Sequence, residues 1–146
     1  MKVTGVEQLQ KNLNLLADKY GKAVADALMV AGQSVRGDAI RSIQTLSSGE
    51  TVTRYRAGGG QYTHTVSAPN TAPNTDTGRL VSSIVVEVQS GDVYVGTGLE
   101  YAPHLEFGTS KMIQRPFLNP ALEKNRTLIS RLVSNAIKNT TKGAGK

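Results

Sequence analysis

Residues 101–124 read YAPHLEFGTSKMIQRPFLNPALEK, and they place aromatic, acidic and basic side chains beside a sharp change of backbone direction. Gly108 permits a turn that a side chain would hinder. Asn119 followed by Pro120 is typical of an N-cap and a first helical residue. The stretch carries no recognisable catalytic or phosphate-binding motif. Because such spans build assembly surfaces more often than reaction centres, the sequence predicts a contact surface here.

Two amphipathic helices are predicted, one that begins within this stretch and one near the start of the chain. Apolar residues recur every three or four positions over residues 118–138 and over residues 5–44, which is the helical period. Gly21 lies inside the longer pattern, so a break is allowed there. Residues 139–146 read NTTKGAGK and are expected to form a flexible tail.

The segment between the helices begins with a predicted β-hairpin over residues 50–67. β-Branched and aromatic residues flank a glycine-rich tip, and both flanks are polar, so the hairpin is expected to project from the body. It interleaves basic and aromatic groups at Arg54, Tyr55, Arg56 and Tyr62. These groups could grip a phosphate backbone and stack on bases. A solvated edge hairpin and docking on a partner subunit are both favoured over nucleic acid.

A second hairpin is predicted after a loop over residues 68–77. Asp76 or Thr77 is expected to cap one or two helical turns that follow this loop. Residues 84–89 and 93–97 then form two strands joined by a turn, because both are rich in β-branched residues. Together these elements predict an α+β fold, in which a small antiparallel sheet of hairpins is packed by a long N-terminal helix and a C-terminal helix.

Length and composition limit the classes of protein to which the chain can belong. Its 146 residues suit one domain, predicted over residues 1–138, and the lack of cysteine excludes disulfides and cysteine-based metal sites. No apolar run has the length of a signal peptide or a membrane helix, so we expect a soluble protein. The net charge of +6 indicates a solvated basic surface, or proximity to nucleic acid or an acidic partner.

Glu100, His104 and Glu106 form the only cluster of acids and histidine in the sequence. In a helix, Glu100 and His104 would share a face, as metal ligands can. No second histidine lies nearby, and zinc sites use three or four protein ligands, so local or surface contacts are favoured. The chain also lacks a GxSxG nucleophile motif and a GxxxxGK(S/T) phosphate loop. The sequence therefore predicts neither an enzyme nor a cofactor.

Three blocks occur in order along the second half of the chain: DTGRLVSSI at residues 76–84, YAPHLEFGT at residues 101–109 and RPFLNPAL at residues 115–122. Together they resemble the tail-component family of long-tailed bacteriophages typified by gene product ten of a lambdoid coliphage. Its members are small proteins of the neck, where head and tail join, described as neck, tail-completion or head–tail joining proteins. The hairpin at residues 50–67 is not part of the family pattern.

The resemblance implies a ring-forming structural protein without catalysis. Closed rings use heterologous contacts, in which one patch binds a different patch on the next copy. Phe107 and Phe117 could be buried anchors of such a contact, and Arg115 could pair with an acid such as Glu106. For Phe117, an intramolecular role that fixes the last helix to the sheet is an equal alternative. The predicted interface residues are Tyr101, Glu106, Phe107, Gly108, Thr109, Arg115, Pro116 and Phe117.

The resemblance also implies a set of partners and a location. The chain is expected to form a homo-oligomeric ring, a hexamer, that contacts head-closure or connector proteins and tail terminator or tail tube proteins. It would lie close to packaged DNA in the virion, without a membrane, after synthesis in the host bacterial cytoplasm. Two alternatives stay open, namely a tail terminator ring subunit and a basic DNA-binding module.

Overall fold

The computed structural model describes residues 6–143, with side chains from residue 10 to residue 142. It confirms the α+β class, and its hairpins form two separate two-stranded antiparallel sheets. In chain order the elements are α1 (Val6–Gln44), β1 (Thr51–Tyr55), β2 (Gln61–Thr65), α2 (Arg79–Ser83), β3 (Ile84–Gln89), β4 (Asp92–Thr97), α3 (Ala102–Phe107) and α4 (Leu118–Gly143).

The two long helices form an antiparallel pair. The hydroxyl oxygens of Tyr20 in α1 and Thr141 in α4 lie 3.0 Å apart, and Asp38 of α1 accepts a hydrogen bond from Lys124 of α4. α1 runs without interruption through Gly21, where the sequence allowed a break. One glycine costs a helix only about 1 kcal/mol, and packing against α4 offsets that cost.

The β3–β4 hairpin packs on α1 at a glycine. A Cβ atom on Gly32 would lie 2.9 Å from a methyl carbon of both Val86 and Val93, so the hairpin approaches the helix backbone closely. The turn residues 90–91 have φ angles of 54° and 91°, as a two-residue type I′ turn requires. This tight turn lets β4 begin at Asp92, one residue before the predicted start.

The hydrophobic core lies where the C-terminal half of α1 meets α2, β3, α3 and the first turn of α4. Its largest member, Phe117, is 1% exposed. Burying a side chain of this size stabilises the fold by roughly 1.5–3 kcal/mol, so Phe117 anchors α4 to the rest of the molecule. The buried core residues are Val35, Ala39, Ile43, Leu80, Ile84, Ala102, Phe117 and Ala121.

Both predicted caps are wrong. α2 follows Gly78, which has a φ of 77°, and no side chain caps the start of this helix. The carboxylate of Asp76 instead binds two side chains of the first hairpin. Asn119 lies within the first turn of α4, because that helix begins at Leu118. The free N–H groups at this helix start are bound by Glu106, a residue of α3.

α4 is also longer than its periodicity predicts. It continues to Gly143 instead of ending at residue 138, so residues 139–143 of the predicted flexible tail are helical, and residues 144–146 lie outside the described part of the chain. Thr140 is buried, and its neighbour Thr141 contacts Tyr20 of α1. Contacts with α1 therefore extend the helix through a polar sequence that has little apolar periodicity of its own.

Candidate assembly surface

Glu106 fixes the corner between α3 and α4. Its side chain is 7% exposed. Its carboxylate accepts the backbone N–H groups of Phe117, Leu118 and Asn119 at 2.8, 3.0 and 2.7 Å. At the start of a helix these groups have no carbonyl of a preceding turn to pair with, and the helix dipole favours a negative charge. One buried carboxylate therefore holds the change of chain direction that the sequence predicted.

Gly108 allows the chain to fold back directly after α3. Its φ is 74°, and a Cβ atom there would lie 2.8 Å from the carbonyl oxygen of Met112 and 2.9 Å from the amide nitrogen of Gln114. The amide of Arg115 then donates to the carbonyl of Leu105 at 2.6 Å. A side chain at Gly108 would therefore force this return segment away from the helix.

An apolar groove of about 610 Å³ separates β4 from α3 and the start of α4. Residues 93–97 of β4 line one side, Pro103 and Phe107 of α3 line the other, and the buried ring of Phe117 lies beneath. Because Glu106 and Gly108 fix the end of α3, the position of Phe107 beside this groove is fixed too.

Large apolar side chains are exposed around the groove. Phe107 is 78% exposed, Tyr94 of β4 is 54% exposed, and Leu122 of α4 is about half exposed. Single exposed apolar residues are common, but a cluster around an apolar groove is typical of an interaction surface. These residues define the rim of what we call the β4–α3 groove.

The other predicted interface residues lie on different sides of the corner. Tyr101 is partly exposed and, with Arg115, lines a second cavity of about 530 Å³. Arg115 donates from Nε to the carbonyl of Ser67 at 3.3 Å and does not pair with Glu106 within the chain. Thr109 is exposed and Pro116 is half-buried. An interface role for this set stays a prediction.

Phe117 has a clear place within the chain. It belongs to the hydrophobic core, and its backbone N–H is bound by Glu106. This contact is the intramolecular alternative that the sequence left open. Phe117 and Glu106 are buried in this structure, whereas Phe107 is the most exposed aromatic residue of the corner.

A family described as "Bacteriophage HK97-gp10, putative tail-component" matches residues 7–108. The chain belongs to this family. The match spans more than two thirds of the chain and includes the first two of the three sequence blocks, up to Gly108, whereas the block at residues 115–122 lies beyond it. No curated protein and no solved structure is significantly similar to the chain.

The first hairpin of this phage tail component is tied to the body through Asp76. The Asp76 carboxylate forms an ion pair with Arg54 and accepts a hydrogen bond from the Tyr62 hydroxyl at 2.9 Å. Arg56 lies over the Tyr62 ring at 5.5 Å from its centre. Tyr55 is 73% exposed and points away from these contacts. Of the four predicted contact residues, Tyr55 is thus the one that offers a free aromatic surface.

The side chains of Glu100, His104 and Glu106 do not form a common site in the structure. Glu106 is buried with both oxygens bound to backbone amides, whereas Glu100 and His104 are exposed. Within the described residues, no group of three or more histidine, aspartate or glutamate side chains could hold a metal ion. None of the helices between residues 6 and 143 combines the length and apolarity that crossing a bilayer requires.

Two parts of the exposed apolar surface were missed by sequence reasoning. Tyr94 and Leu122 join the rim of the groove, although their patterns predicted only a strand and a buried helix face. Leu13 and Leu16 lie on the exposed first part of α1, which extends past the end of α4. Periodicity identifies an apolar stripe in such cases, but it does not say whether the partner is the same chain or another.

Proposed function

We propose that this phage tail component is a neck or tail-completion subunit, which forms a ring at the head–tail junction and joins the tail to the capsid connector. The ring would be a hexamer in the virion. Its neighbours would be head-closure or connector proteins on one side and tail terminator or tail tube proteins on the other.

The observation that carries this proposal is the exposure of Phe107 beside the β4–α3 groove in a member of a phage tail-component family. Phe107 adds little to the stability of the single chain, because most of its surface stays in water. A rigidly held aromatic residue is instead suited to act as an anchor at a subunit contact. A groove and a projecting ring on one subunit also allow the heterologous contact that a closed ring needs.

Charge supports a position near DNA without requiring specific recognition. The net charge is +6, but Arg54 is paired with Asp76, and Arg56 lies on Tyr62. A positive surface lowers the electrostatic cost of passing DNA and also suits an acidic neighbour. A free DNA-binding module would instead show duplex binding that falls steeply as salt rises.

The test is cryo-electron microscopy of particles, with the ring at the head–tail junction traced to sequence. We expect this chain in the ring, with Phe107 at a contact between copies. Deletion of the gene should leave filled heads and complete tails that do not join. Tails of irregular length would point to the terminator alternative, and absence of the chain from the particle would refute a structural role.

A further inference from the structure

Each hairpin has one outer strand edge with a carbonyl that the body binds, and one open edge, whose outward backbone groups accept no hydrogen bond from the described residues. The Asn74 amide donates to the carbonyl of Thr65 at 2.9 Å, which binds the outer edge of β2 at its last residue. Arg36 donates from Nε to the carbonyl of Ile84 at 2.7 Å, which covers the start of β3. Within the described residues, no strand pairs with the outer edge of β1 or of β4.

The open edge of β4 borders the β4–α3 groove. Successive side chains of a strand point to opposite faces, so a groove lined by all of residues 93–97 lies along the edge of the strand. Because the turn at residues 90–91 has two residues, Gln89 and Asp92 form a hydrogen-bonded pair. Hydrogen-bonded and non-hydrogen-bonded pairs alternate along an antiparallel ladder, so Val93 and Val95 are in non-hydrogen-bonded pairs. The backbone groups of Val93 and Val95 therefore point into the groove.

The open edge of β1 can be assigned in the same way. The amide of Arg56 donates to the carbonyl of Gly60 at 3.1 Å, so Arg56 and Gly60 form a hydrogen-bonded pair, and the next pair along the ladder is a non-hydrogen-bonded one. Thr53 and Tyr55 are then in non-hydrogen-bonded pairs, so their backbone groups point outward from the hairpin. β1 has five residues and β4 has six, so the two open edges are similar in length.

The two hairpins differ in charge. Between Thr51 and Thr65 the charged residues are Arg54, which is paired with Asp76, and the exposed Arg56, whereas between Ile84 and Thr97 they are Glu87 and Asp92. Pairing two copies of the same hairpin would bring like charges together, and pairing different hairpins brings opposite charges together. Charge therefore favours a contact between unlike patches, which is the type that builds rings.

We infer that β1 of one copy adds to the open edge of β4 in the next copy, so that neighbouring subunits share a four-stranded sheet. This inference rests on the proposed ring. Strand addition supplies backbone hydrogen bonds, and the adjacent groove accommodates the side chains of the added strand, above all Tyr55. It also gives strand partners to two hairpins that are marginal as isolated two-stranded sheets.

A matched pair of proline variants tests this inference. Thr53 and Thr63 lie opposite each other in a non-hydrogen-bonded pair, so both N–H groups point away from the ladder. Proline is tolerated at such positions. Thr53→Pro removes a donor from the open edge of β1, and Thr63→Pro removes one from the outer edge of β2, where the body binds the Thr65 carbonyl. We expect Thr53→Pro to lower incorporation into particles by about tenfold or more, with Thr63→Pro close to wild type.

Cross-linking detects the contact directly and does not require that the proline variants fold. The chain contains no cysteine, so Thr53→Cys and Tyr94→Cys each introduce a single thiol. Particles that contain both variants should give a dimer with a short bismaleimide, and particles with either variant alone should not. If the chain is present in particles but no mixed dimer forms, strand addition is refuted while the ring function stands. If the wild-type chain is absent from particles, both fail.

Discussion

At the scale of single residues, Glu106 is the group on which the local architecture depends most. A side chain in α3 accepts the backbone N–H groups at the start of α4. A charge-assisted hydrogen bond is stronger than a neutral one, and burial makes its loss costly. The corner that positions Phe107 therefore depends on one buried carboxylate.

Replacing Glu106 by glutamine should destabilise the protein by about 2–3 kcal/mol, because one amide oxygen cannot accept all three N–H groups and the amide adds unmatched donors. The measurement is urea unfolding of the purified variant. Glu100→Gln is the matched control, since Glu100 is exposed in the same region and should change stability by less than about 0.5 kcal/mol. Equal effects of the two changes would contradict the capping role.

Asp38 is the second buried carboxylate with a structural role. Hydrogen bonds from Lys124, Arg41 and Asn125, in that order, hold the pKa of Asp38 well below its usual range. The three donor distances are 2.9, 2.5 and 2.6 Å. Two of these partners belong to α4, so this carboxylate links the long helices. Lys124 and Arg41 are largely exposed, which weakens their ion pairs with Asp38 through solvent screening.

Asp38→Asn should lower stability by about 1–2 kcal/mol at neutral pH. A carboxylate with a depressed folded-state pKa contributes stability above its unfolded pKa of about 3.9 and loses it as the pH falls toward the folded value. The difference in urea midpoint between wild type and variant should therefore shrink below about pH 4. Asp26→Asn, at an exposed site on the same helix, serves as control. A difference that stays constant with pH would contradict this assignment.

These residues show which interactions the sequence could not reveal. Asn119 and Asp76 have the residue types of N-caps, and the local rule places caps beside the helices that they serve. In the folded chain the cap of α4 comes from Glu106, and Asp76 binds the hairpin instead. Local propensity predicts where a helix starts, but tertiary contacts decide which side chain satisfies its first N–H groups.

At the scale of elements, two glycines of α1 show the effects of helix propensity and of packing separately. Gly21 has open space where a Cβ would lie, whereas a Cβ on Gly32 would lie 2.9 Å from methyl carbons of Val86 and Val93. The valine side chains are stiff, so the hairpin would have to move away from the helix. The same substitution should therefore have opposite effects at the two positions.

Gly21→Ala should stabilise the protein by up to about 1 kcal/mol, because alanine is the better helix former. Gly32→Ala should destabilise it by about 1–3 kcal/mol, as overpacking does. Thermal and urea unfolding of both variants provide the measurement, and each variant is the control for the other. If both variants gained stability equally, the close approach of the β3–β4 hairpin to α1 would be wrong.

Periodicity and composition were sufficient to predict the two long helices and the two hairpins in their order, but the short helix α3 was not predicted. The spacing over residues 5–44 identified α1, and β-branched residues identified both hairpins. It could not show that the hairpins form separate sheets, because strand neighbours depend on contacts between distant segments. It also ended α4 at residue 138, because the contacts of Thr140 and Thr141 with the rest of the fold are not visible in a local pattern.

At the scale of the whole molecule, an apolar surface stays exposed, as is typical of an interaction surface. The β4–α3 groove has an exposed aromatic rim, and within residues 6–143 no third strand pairs with either hairpin. The sequence predicted Phe107 as an anchor, but Tyr94 and Leu122 join it only through folding. An exposed surface whose members come from β4, α3 and α4 depends on the tertiary structure and could not be read from any one segment.

Phe107→Ser should separate assembly from folding. Because Phe107 is largely exposed in the single chain, its loss should change the free energy of unfolding by less than about 0.5 kcal/mol. If its ring is an anchor between copies, particles should incorporate the variant at least about tenfold less, since truncating such an anchor costs about 2 kcal/mol or more per contact. Leu46→Ser is the control, because Leu46 is equally exposed and does not line the groove. Normal incorporation of both variants would show that the groove rim is not the subunit contact.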